Sequence, residues 1–340
     1  MKKFTVRFEF VGNGDCLILE WVHKGEHRIG IVDCNSSSRP NPVIRRIRQE
    51  GYDELSFVVM SHPHHDHFSG LLPVLKYCAS EEIPVGFFAY TTREVRSYLR
   101  SLALSNNESD DLADIFRMVR EMEEEGLLAR RGIGTDQTKP YQMGGGAKME
   151  FLAPSEVERD RFARTLYDDT GGSPRVKEKP NANWVSSVLL IHTDDWYLLL
   201  TSDAEKETLQ RIGLGPLKHD NRRLRLGQVP HHGAKQNHNR SFWRRRQHEN
   251  GTPATISVGP NGYGHPSPHV MEEMESRLSY DVHTTGAVDR NDKPEIEGEL
   301  DLISDLEKDS TKPSQDTQTT LVYKFDPECS DPPELKEISQ

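Results

Sequence analysis

The sequence predicts a layered α/β fold, and three observations support this prediction. Short β-forming runs and helical segments follow one another in the order β, β, β, α, β, α across residues 4–77. Several apolar runs end at or next to a polar residue, as at Asp33, His62 and Asp203. With 340 residues, the chain is long enough for one large domain or two ordinary ones around a buried core.

The first part of the chain alternates in the way that strands require. Residues 4–21 carry β-forming side chains on both sides of a Gly-Asn-Gly-Asp turn at 12–15, which predicts two strands. The elements expected next, in chain order, are a buried strand at 28–33, a helix at 40–51, a buried strand at 55–60 and a helix at 70–77.

The second part of the chain is less regular. Charged residues with apolar spacing predict a surface helix over 108–131, and a polar, Gly- and Pro-rich composition predicts a loop over 155–182. Apolar runs at 185–191 and 196–201 predict a hairpin. The further elements expected are strands at 149–152, 255–258, 281–288 and 319–325 and a helix at 270–278.

Composition excludes several classes of protein. No apolar run approaches the roughly 18 residues that a membrane span needs. The N-terminal segment lacks the apolar core of a signal peptide, and the four cysteines have no C-x-x-C spacing. We therefore expect a cytoplasmic protein without a membrane partner, a disulfide framework or a cysteine-held zinc ion.

The segment Ser61-His62-Pro63-His64-His65-Asp66-His67 is the strongest functional signal in the chain. Imidazole and carboxylate groups are the ligands that zinc and similar divalent ions prefer. Side chains two positions apart on an extended segment project the same way, so His62 and His64 can hold one ion. Asp66 and His67, where the chain turns into the next helix, can face a second ion. A histidine-rich surface loop or tag is the alternative, but a tag lies at a terminus and lacks the aspartate.

Further motifs flank this cluster in a fixed order. They are Val11-Gly12-Asn13-Gly14-Asp15, Leu152-Ala153-Pro154, Asn183-Trp184-Val185-Ser186-Ser187-Val188-Leu189, Leu199-Leu200-Thr201-Ser202-Asp203, Val229-Pro230-His231-His232-Gly233, Ser257-Val258-Gly259-Pro260-Asn261-Gly262-Tyr263-Gly264-His265-Pro266 and Thr284-Thr285-Gly286-Ala287-Val288. Together with the histidine cluster, they resemble the metallo-β-lactamase fold superfamily over roughly residues 4–290. Within it, the resemblance is closest to the metallo-hydrolase domain of ComEC-type DNA-uptake proteins.

The resemblance implies an αββα sandwich of the metallo-β-lactamase type, in which two mixed β-sheets pack face to face with helices outside. This domain would span residues 1–290, with inserts near 100–145 and 155–182 that rim the site. Residues 291–340 would form an acidic C-terminal segment with a final strand near 319–325.

Taken over position by position, the resemblance also implies a two-metal centre. The implied ligands form two sets joined by a bridge: His62 and His64 for metal 1, Asp66, His67 and His265 for metal 2, and Asp203 between them. Asp33 would support a ligand histidine through a hydrogen bond. His231 and His232 would be substrate contacts, transition-state donors or, alternatively, ligands. Asn183 stands where many superfamily members have a further metal-1 histidine, so we expect metal 1 to be weaker or exchangeable.

Two positions depart from the family pattern. Asn35 stands where glycine is usual, and Ser202 replaces the glycine before Asp203. Neither position is an implied ligand, so the departures bear on loop geometry. Asp203 also has a second interpretation, as the N-cap of a helix that begins Ala-Glu-Lys-Glu.

The implied cofactors are two divalent ions, zinc or manganese, which would generate hydroxide near neutral pH and polarise a substrate oxygen. Asp66 and Asp203 would orient the water or accept its proton, and His231 and His232 would donate to the substrate or leaving group. We expect a phosphodiesterase or nuclease. The alternatives are a non-phosphate hydrolase of a small ester, lactone or lactam, and a metal-binding partner module without essential catalysis.

A basic stripe, residues 222–246, flanks the His231-His232 motif. Residues 206–250 as a whole hold 11 basic and 3 acidic side chains, with Phe242 and Trp243 among them. The stripe predicts a phosphate-containing substrate, with DNA and RNA as candidates bound through 222–246. A solvated helix face, or a docking surface for a protein partner or a second copy of the chain, is the alternative.

The net charge of −11 does not exclude a phosphate substrate, because the acidity is unevenly distributed. Residues 289–340 carry 15 acidic and 6 basic side chains, which leaves a net charge of only −2 on residues 1–288. We expect the acidic segment 291–316 to shield the basic stripe or compete for it.

Overall fold

Two mixed β-sheets form the centre of the computed structural model, which describes residues 4–35, 40–91, 106–135, 139–168, 181–246, 248–286, 318–326 and 332–339. Within these residues, the first sheet has eight strands in the spatial order Glu334–Ser339 (β15), Thr319–Phe325 (β14), Phe4–Phe8 (β1), Cys16–His23 (β2), Glu26–Cys34 (β3), Phe57–Met60 (β4), Val85–Tyr90 (β5) and Leu128–Gly132 (β6). The second sheet has seven described strands in the order Tyr280–Thr284 (β13), Thr252–Ile256 (β12), Arg223–Gln228 (β11), Trp196–Leu200 (β10), Val188–His192 (β9), Lys148–Ala153 (β8) and Tyr141–Gln142 (β7).

Helices cover the outer faces of both sheets. Those described are Pro42–Glu50 (α1), His65–Phe68 (α2), Leu71–Ser80 (α3), Asn106–Glu124 (α4), Glu156–Asp168 (α5), Lys206–Leu214 (α6), Arg240–Arg244 (α7) and Pro268–Glu272 (α8), the last followed by a π-helical turn at Glu273–Arg277. Helices α1, α3 and α4 pack their apolar side chains on the first sheet, and α6, α7 and α8 pack theirs on the second.

A third apolar layer lies between the two sheets. It joins Phe8, Leu17 and Phe57 of the first sheet to Leu198 and Leu226 of the second, and all five side chains are buried. The order helix, sheet, sheet, helix confirms the predicted αββα sandwich.

The direction of the strands decides where a site can form. In the first sheet β3 to β6 run parallel, and in the second β10 to β13 do so, while the other pairs are antiparallel. Ligands in such sheets bind beyond the carboxyl ends of parallel strands, where the following loops meet. The motif-bearing loops after β3, β4, β10 and β11 all leave from these ends.

The loop predicted over 155–182 is wrong in its first part, because helix α5 occupies Glu156–Asp168. A capping box starts this helix: the Ser155 amide donates to Glu158 Oε2 at 2.6 Å, and the Glu158 amide lies 3.4 Å from Ser155 Oγ. Phe162 is buried one turn further on. Residues 169–180 of the predicted loop lie outside the described residues.

The helix predicted over 108–131 ends earlier than expected. Helix α4 stops at Glu124, Gly126 takes a positive φ of 75°, and the chain continues as strand β6. Strands β5, β7, β11 and β15 were also not predicted. The strand expected near 319–325 is present as β14, which pairs with β1 and β15.

The acidic segment 291–316 lies outside the described residues. In the part of the chain that the structure describes, no helix has both the length and the apolar composition to cross a membrane.

Candidate metal centre

The predicted site residues converge at the carboxyl ends of the parallel strands. Asp33 lies near the end of β3, residues 62–67 follow β4, Asp203 follows β10, and His231 and His232 follow β11. Every residue of β4 and β10 is buried, so the base of these loops is fixed by the core. Three loops and one strand end that are distant in sequence therefore meet in one place.

A first group of candidate ligands consists of His62, His64 and Asp203. One ligand atom from each lies within 4.8 Å of the others. His62 Nε2 lies 3.0 Å from His64 Nδ1 and 3.7 Å from Asp203 Oδ2. This is the pairing that the spacing of the two histidines predicts, with the carboxylate of Asp203 added from the opposite sheet.

A second group consists of Asp66, His67 and His232, whose ligand atoms also lie within 4.8 Å of one another. His232 Nε2 lies 3.3 Å from Asp66 Oδ2, and His67 Nε2 lies 3.9 Å from Asp66 Oδ1. The sequence left open whether His231 or His232 is a ligand, and the structure brings His232 into this group. The other ring nitrogen of His232 donates to the Ser257 carbonyl at 2.7 Å, which fixes the ring orientation.

Asp203 lies between the two groups. Its Oδ2 atom is 3.7 Å from His62 Nε2 in the first group, and its Oδ1 atom is 3.4 Å from His67 Nε2 in the second. A bridging carboxylate needs this arrangement, with one oxygen facing each ion. The bridging role assigned to Asp203 remains a prediction that the geometry permits.

Three donor atoms fit a cation, two from the histidines of the second group and one from Asp203. Among the described residues, His67 Nε2, His232 Nε2 and Asp203 Oδ1 are buried and have no hydrogen-bond partner. Buried polar atoms are normally paired, because leaving one unpaired costs about 1–3 kcal/mol. A divalent ion between these three atoms would satisfy all of them. The residue types suit zinc and manganese alike.

Asp33 makes the hydrogen bond to a histidine that the resemblance implies, and its supporting role at a metal site stays a prediction. Its Oδ2 atom accepts a hydrogen bond from His67 Nδ1 at 2.8 Å, which leaves Nε2 of that ring facing the second group. The same carboxylate accepts from the amide and hydroxyl of Ser61, and the Ser61 hydroxyl lies 3.0 Å from His62 Nδ1. The buried Asp33 carboxylate thus orients the His67 ring directly and the His62 ring through the Ser61 hydroxyl.

Asp15 and Gln228 also belong to the support of the site, although the sequence interpretation assigned them no role. Asp15 Oδ2 lies 3.7 Å from His67 Nδ1 and accepts a hydrogen bond from Gln228 Nε2 at 2.9 Å. Its amide donates to the Asp66 carbonyl at 3.1 Å. The signal for Asp15 was its place at the end of the Gly-Asn-Gly-Asp turn, while nothing in the sequence marked Gln228.

Burial disfavours the charged form of the buried histidines, and the nearby charges either add to that effect on the pKa or outweigh it. For His62, burial and the nearby imidazoles lower the pKa well below its usual value. For His67, the carboxylates of Asp203 and Asp66 outweigh burial and raise the pKa well above it. The same balance raises the pKa of His232 to about 9. Without a metal ion, protons on His67 and His232 therefore balance the charge of the nearby carboxylates. Metal binding would release these protons.

The backbone at the site takes an uncommon conformation. Asp33, Ser202, His231 and His232 have φ values of 57°, 44°, 51° and 52°, in the left-handed region that costs energy for residues with a Cβ atom. In the two histidines, this conformation sends the two rings different ways: the His231 side chain is 21% exposed and the His232 side chain 3%. The turn before Asp203 is left-handed although serine stands at position 202 in place of the family's glycine.

Asn35, the other departure from the family pattern, has a structural role that glycine could not perform. Its Nδ2 atom donates to the carbonyls of Val11 and Asn13, both at 3.0 Å, and its Oδ1 atom accepts from Ser69 Oγ at 2.8 Å. The side chain therefore ties the turn that carries Asp15 to the end of helix α2.

His231 and His265 are partly exposed near the site, and Asn183 is buried beside His231. His231 Nε2 is 3.7 Å from Asp203 Oδ2, and its Nδ1 atom is 3.3 Å from Asn183 Nδ2. The His265 ring centroid is 5.8 Å from that of His231. Among the described residues, His265 is in none of the groups whose ligand atoms lie within 4.8 Å of one another, so its predicted place on metal 2 stays a prediction.

The two aromatic side chains of the basic stripe are not available to a ligand. Phe242 and Trp243 are 2% and 0% exposed and belong to the core under the second sheet, so that interpretation of the two rings is wrong. The indole and phenyl groups are apolar and fill the space beneath β11, where no base can stack on them.

Several arginines of the stripe are engaged elsewhere. Arg222 forms an ion pair with Asp220 at 2.7 Å, and Arg223 with Glu249 at 2.9 Å. These arginines lie at the start of β11, and Gln228 at its end is about 17 Å away at 3.3 Å per residue. The arginines at the start of β11 thus lie remote from the candidate ligands.

The protein is therefore an αββα sandwich with a candidate dinuclear metal centre. Two adjoining histidine–aspartate groups form this centre, and the Asp203 carboxylate lies between them. No protein-family model matches the sequence, and no curated protein matches it.

The solved structures with a similar chain path include a metallo-β-lactamase fold protein. YhfI from Bacillus subtilis, a metallo-β-lactamase fold protein, is 12% identical, and the match covers 84% of this chain and 96% of that one with a TM-score of 0.44. Zn²⁺-bound PqqB from Methylobacterium extorquens is 12% identical over 78% and 84% of the two chains, with a TM-score of 0.41. A diphosphatase of the PhnP family is 10% identical over 83% and 95%, with a TM-score of 0.40. The metal and activity in these names belong to those proteins.

Proposed function

We propose that this protein is a metal-dependent hydrolase that cleaves a phosphodiester bond in a nucleotide or nucleic acid. The position of Asp203 is the main support, because one of its carboxylate oxygens faces each group of candidate ligands. Two divalent ions held there would lower the pKa of a bound water and stabilise the attacking and leaving oxygens, as two-metal sites do in phosphatases and nucleases.

The chain would provide a set of ligands for each ion. His62, His64 and Asp203 Oδ2 would hold the first ion, whereas Asp203 Oδ1 and the second group would hold the second. Asn183 adds an amide near the first group where a third imidazole would bind more strongly, so the first ion would exchange more readily.

Asp66 and His231 would be the side chains that transfer protons. The Asp66 carboxylate is 33% exposed and can accept a proton from the attacking water. His231 accepts a hydrogen bond at Nδ1 from Asn183, so its Nε2 atom carries the proton and can donate it to a phosphoryl oxygen or the leaving group. His231 is more exposed than His232, which suits a substrate contact rather than a support.

A small-molecule ester, lactone or lactam is the second candidate substrate. The burial of Phe242 and Trp243 favours it, since this removes the stacking surface expected for a long nucleic acid. The third hypothesis is a non-catalytic metal-binding module. A hydrolysis assay on metal-loaded protein separates it from the other two.

The test compares three substrates after metal reconstitution. Chelator-treated protein is loaded with Zn²⁺ or Mn²⁺ and assayed on bis-p-nitrophenyl phosphate, single-stranded DNA and a chromogenic β-lactam. Asp203→Asn should abolish hydrolysis of the phosphodiester, and Asp194→Asn, at an exposed turn, should not. Hydrolysis of the lactam alone would support the second candidate, and no hydrolysis by metal-loaded protein would support the third.

A further inference from the structure

Glu205 lies two residues after Asp203, where the chain enters helix α6. Both of its carboxylate oxygens face asparagine side chains: Oε1 accepts from Asn181 Nδ2 at 2.9 Å, and Oε2 lies 3.5 Å from Asn237 Nδ2. A residue at this position could cap the helix, but the Glu205 side chain makes no capping hydrogen bond. The carboxylate therefore serves two other segments of the chain, and neither contact is needed to start the helix.

The Asn181 contact leads to His231. Asn181 Oδ1 accepts from the backbone amide of Asn183 at 2.9 Å and so starts the 3-10 turn Ala182–Val185. The side chain of Asn183 then places Nδ2 3.3 Å from His231 Nδ1. An asparagine amide has one donor end and one acceptor end, whereas an ionised carboxylate only accepts. Glu205 therefore fixes which end of Asn181 faces the turn that carries Asn183.

Asn237 makes the second link. This residue is 0% exposed, and its Nδ2 atom donates to the Ala204 carbonyl at 3.2 Å and lies 3.5 Å from both the Asp203 carbonyl and Glu205 Oε2. Among the described residues, Asn237 Oδ1 is buried without a partner, so the donor end alone holds this side chain. The Glu205 carboxylate thus connects the turn of Asp203 to the segment that follows His232.

We propose that Glu205 is a positioning residue for His231, which donates a proton to the leaving oxygen. The inference rests on the proposed phosphodiester hydrolysis and adds to it the residue that sets the donor. While Asn183 donates to His231 Nδ1, the ring carries its proton on Nε2, the atom 3.7 Å from Asp203. Without the carboxylate, Asn181 can turn and the turn that places Asn183 loosens, so both tautomers of the ring become accessible.

The first test compares two substrates that differ only in the leaving group, methyl p-nitrophenyl phosphate and methyl phenyl phosphate. A proton donor matters for the strongly basic phenolate and hardly for the weakly basic nitrophenolate. In Zn²⁺-loaded full-length protein, we expect Glu205→Ala to lower kcat about 10-fold or more for the phenyl ester and less than about twofold for the nitrophenyl ester. Glu205→Gln retains an acceptor for Asn181 and should lose less. Glu207→Gln, an exposed carboxylate on α6, is the matched control.

The second test observes the ring itself and needs no turnover. Nitrogen-15 NMR of histidine-labelled, Zn²⁺-loaded protein at about pH 8, above the ordinary pKa of histidine, distinguishes a protonated from a bare ring nitrogen. We expect His231 in the unmodified protein to carry its proton on Nε2 alone. Glu205→Ala should give a mixture of the two tautomers, and Glu207→Gln should not. The signal that disappears in His231→Gln assigns the resonance.

Three results would overturn the positioning role. They are an equal loss of kcat for both esters in Glu205→Ala, no loss for either, and an unchanged tautomer of His231 in that variant. These outcomes are separate from the fate of the proposed function. A protein that hydrolyses both esters with or without Glu205 retains the function and loses the positioning role. If the unmodified protein hydrolyses neither ester, the proposed function fails, and the tautomer measurement alone decides whether Glu205 positions the ring.

Discussion

Gln228 and Asp15 join the two sheets through a hydrogen bond of 2.9 Å between side chains 213 positions apart. The same Gln228 amide accepts from the backbone N–H groups of Thr201 and Ser202, both at 3.0 Å. All these groups are buried. Gln228 therefore fixes the strained turn before Asp203 and, through Asp15, the neighbourhood of His67.

Gln228→Ala should lower metal affinity about 10- to 100-fold, the usual cost of losing a partner that orients a ligand. Gln228→Glu separates the two halves of the contact, because it still accepts from the backbone but places a carboxylate against Asp15. We expect it to weaken metal binding as well. Chelator competition with Zn²⁺ measures the affinity, and Gln236→Glu at an exposed position is the control. Wild-type affinity in both variants would show that Gln228 does not position the ligands.

Asn183→His should strengthen metal binding at the first group. The amide lies 3.3 Å from His231, whose Nε2 is 3.7 Å from Asp203, so an imidazole at position 183 would enter the same neighbourhood. A third imidazole is typical of tighter zinc sites. We expect about a 10-fold gain for the weaker of two Zn²⁺ ions in a titration with two resolved steps. Asn183→Ala controls for loss of the amide, and an unchanged weaker step in Asn183→His would contradict the placement.

The parts of the site that sequence could predict are those encoded by local spacing. His62 and His64 alternate after a buried strand, and Asp203 lies three residues after the end of another, so strand geometry predicts where these residues lie. His232, and not His231, turns inward, and this depends on two successive positive φ values. No local sequence pattern predicts these φ values. Gln228 is invisible for a different reason, since its role depends on a partner in the other sheet.

The fold was predicted least well where charge hides a strand. In β11 the arginines alternate with leucines, which is a strand pattern, but we expected a basic stripe for a phosphate-containing substrate, with a solvated helix face as the alternative. Arg225 is buried there because its guanidinium lies over the rings of Trp196 and Phe325, at 5.4 and 5.1 Å. Tertiary contacts of this kind compensate a buried charge, and they cannot be read from spacing.

Ser202→Gly should stabilise the protein. Ser202 has a φ of 44°, where a Cβ atom is disfavoured, and its amide is held there by Gln228. Glycine removes that cost but adds entropy to the unfolded chain, so the net gain in the free energy of unfolding should be about 1 kcal/mol. Urea denaturation of the metal-free protein measures it. Ser80→Gly, at the end of helix α3, should have the opposite sign. A destabilised Ser202→Gly variant would mean that the turn needs the serine hydroxyl.

The metal-free protein should lose stability as the pH rises from about 6.5 to 9. The fold raises the pKa of His232 to about 9, whereas an unfolded histidine titrates near 6.5. Below the unfolded-state pKa, the folded and unfolded states both bind the proton, and the stabilising contribution of His232 is fully present. Above the folded-state pKa, that contribution is lost. The pKa of His67 is also raised and adds the same sign, while the pKa values of His62 and His64 are lowered and act only below this window.

The loss from His232 alone should reach about 3 kcal/mol in the free energy of unfolding, at about 1.4 kcal/mol for each pKa unit. Urea denaturation in the presence of a chelator at several pH values measures it, and His232→Gln should flatten the dependence. Saturating Zn²⁺ should reverse the slope, because a metal ion requires neutral imidazoles and competes with the protons that stabilise the metal-free fold. Equal slopes with and without metal would contradict the assignment of His67 and His232 as ligands, since bound metal would then leave their protons in place.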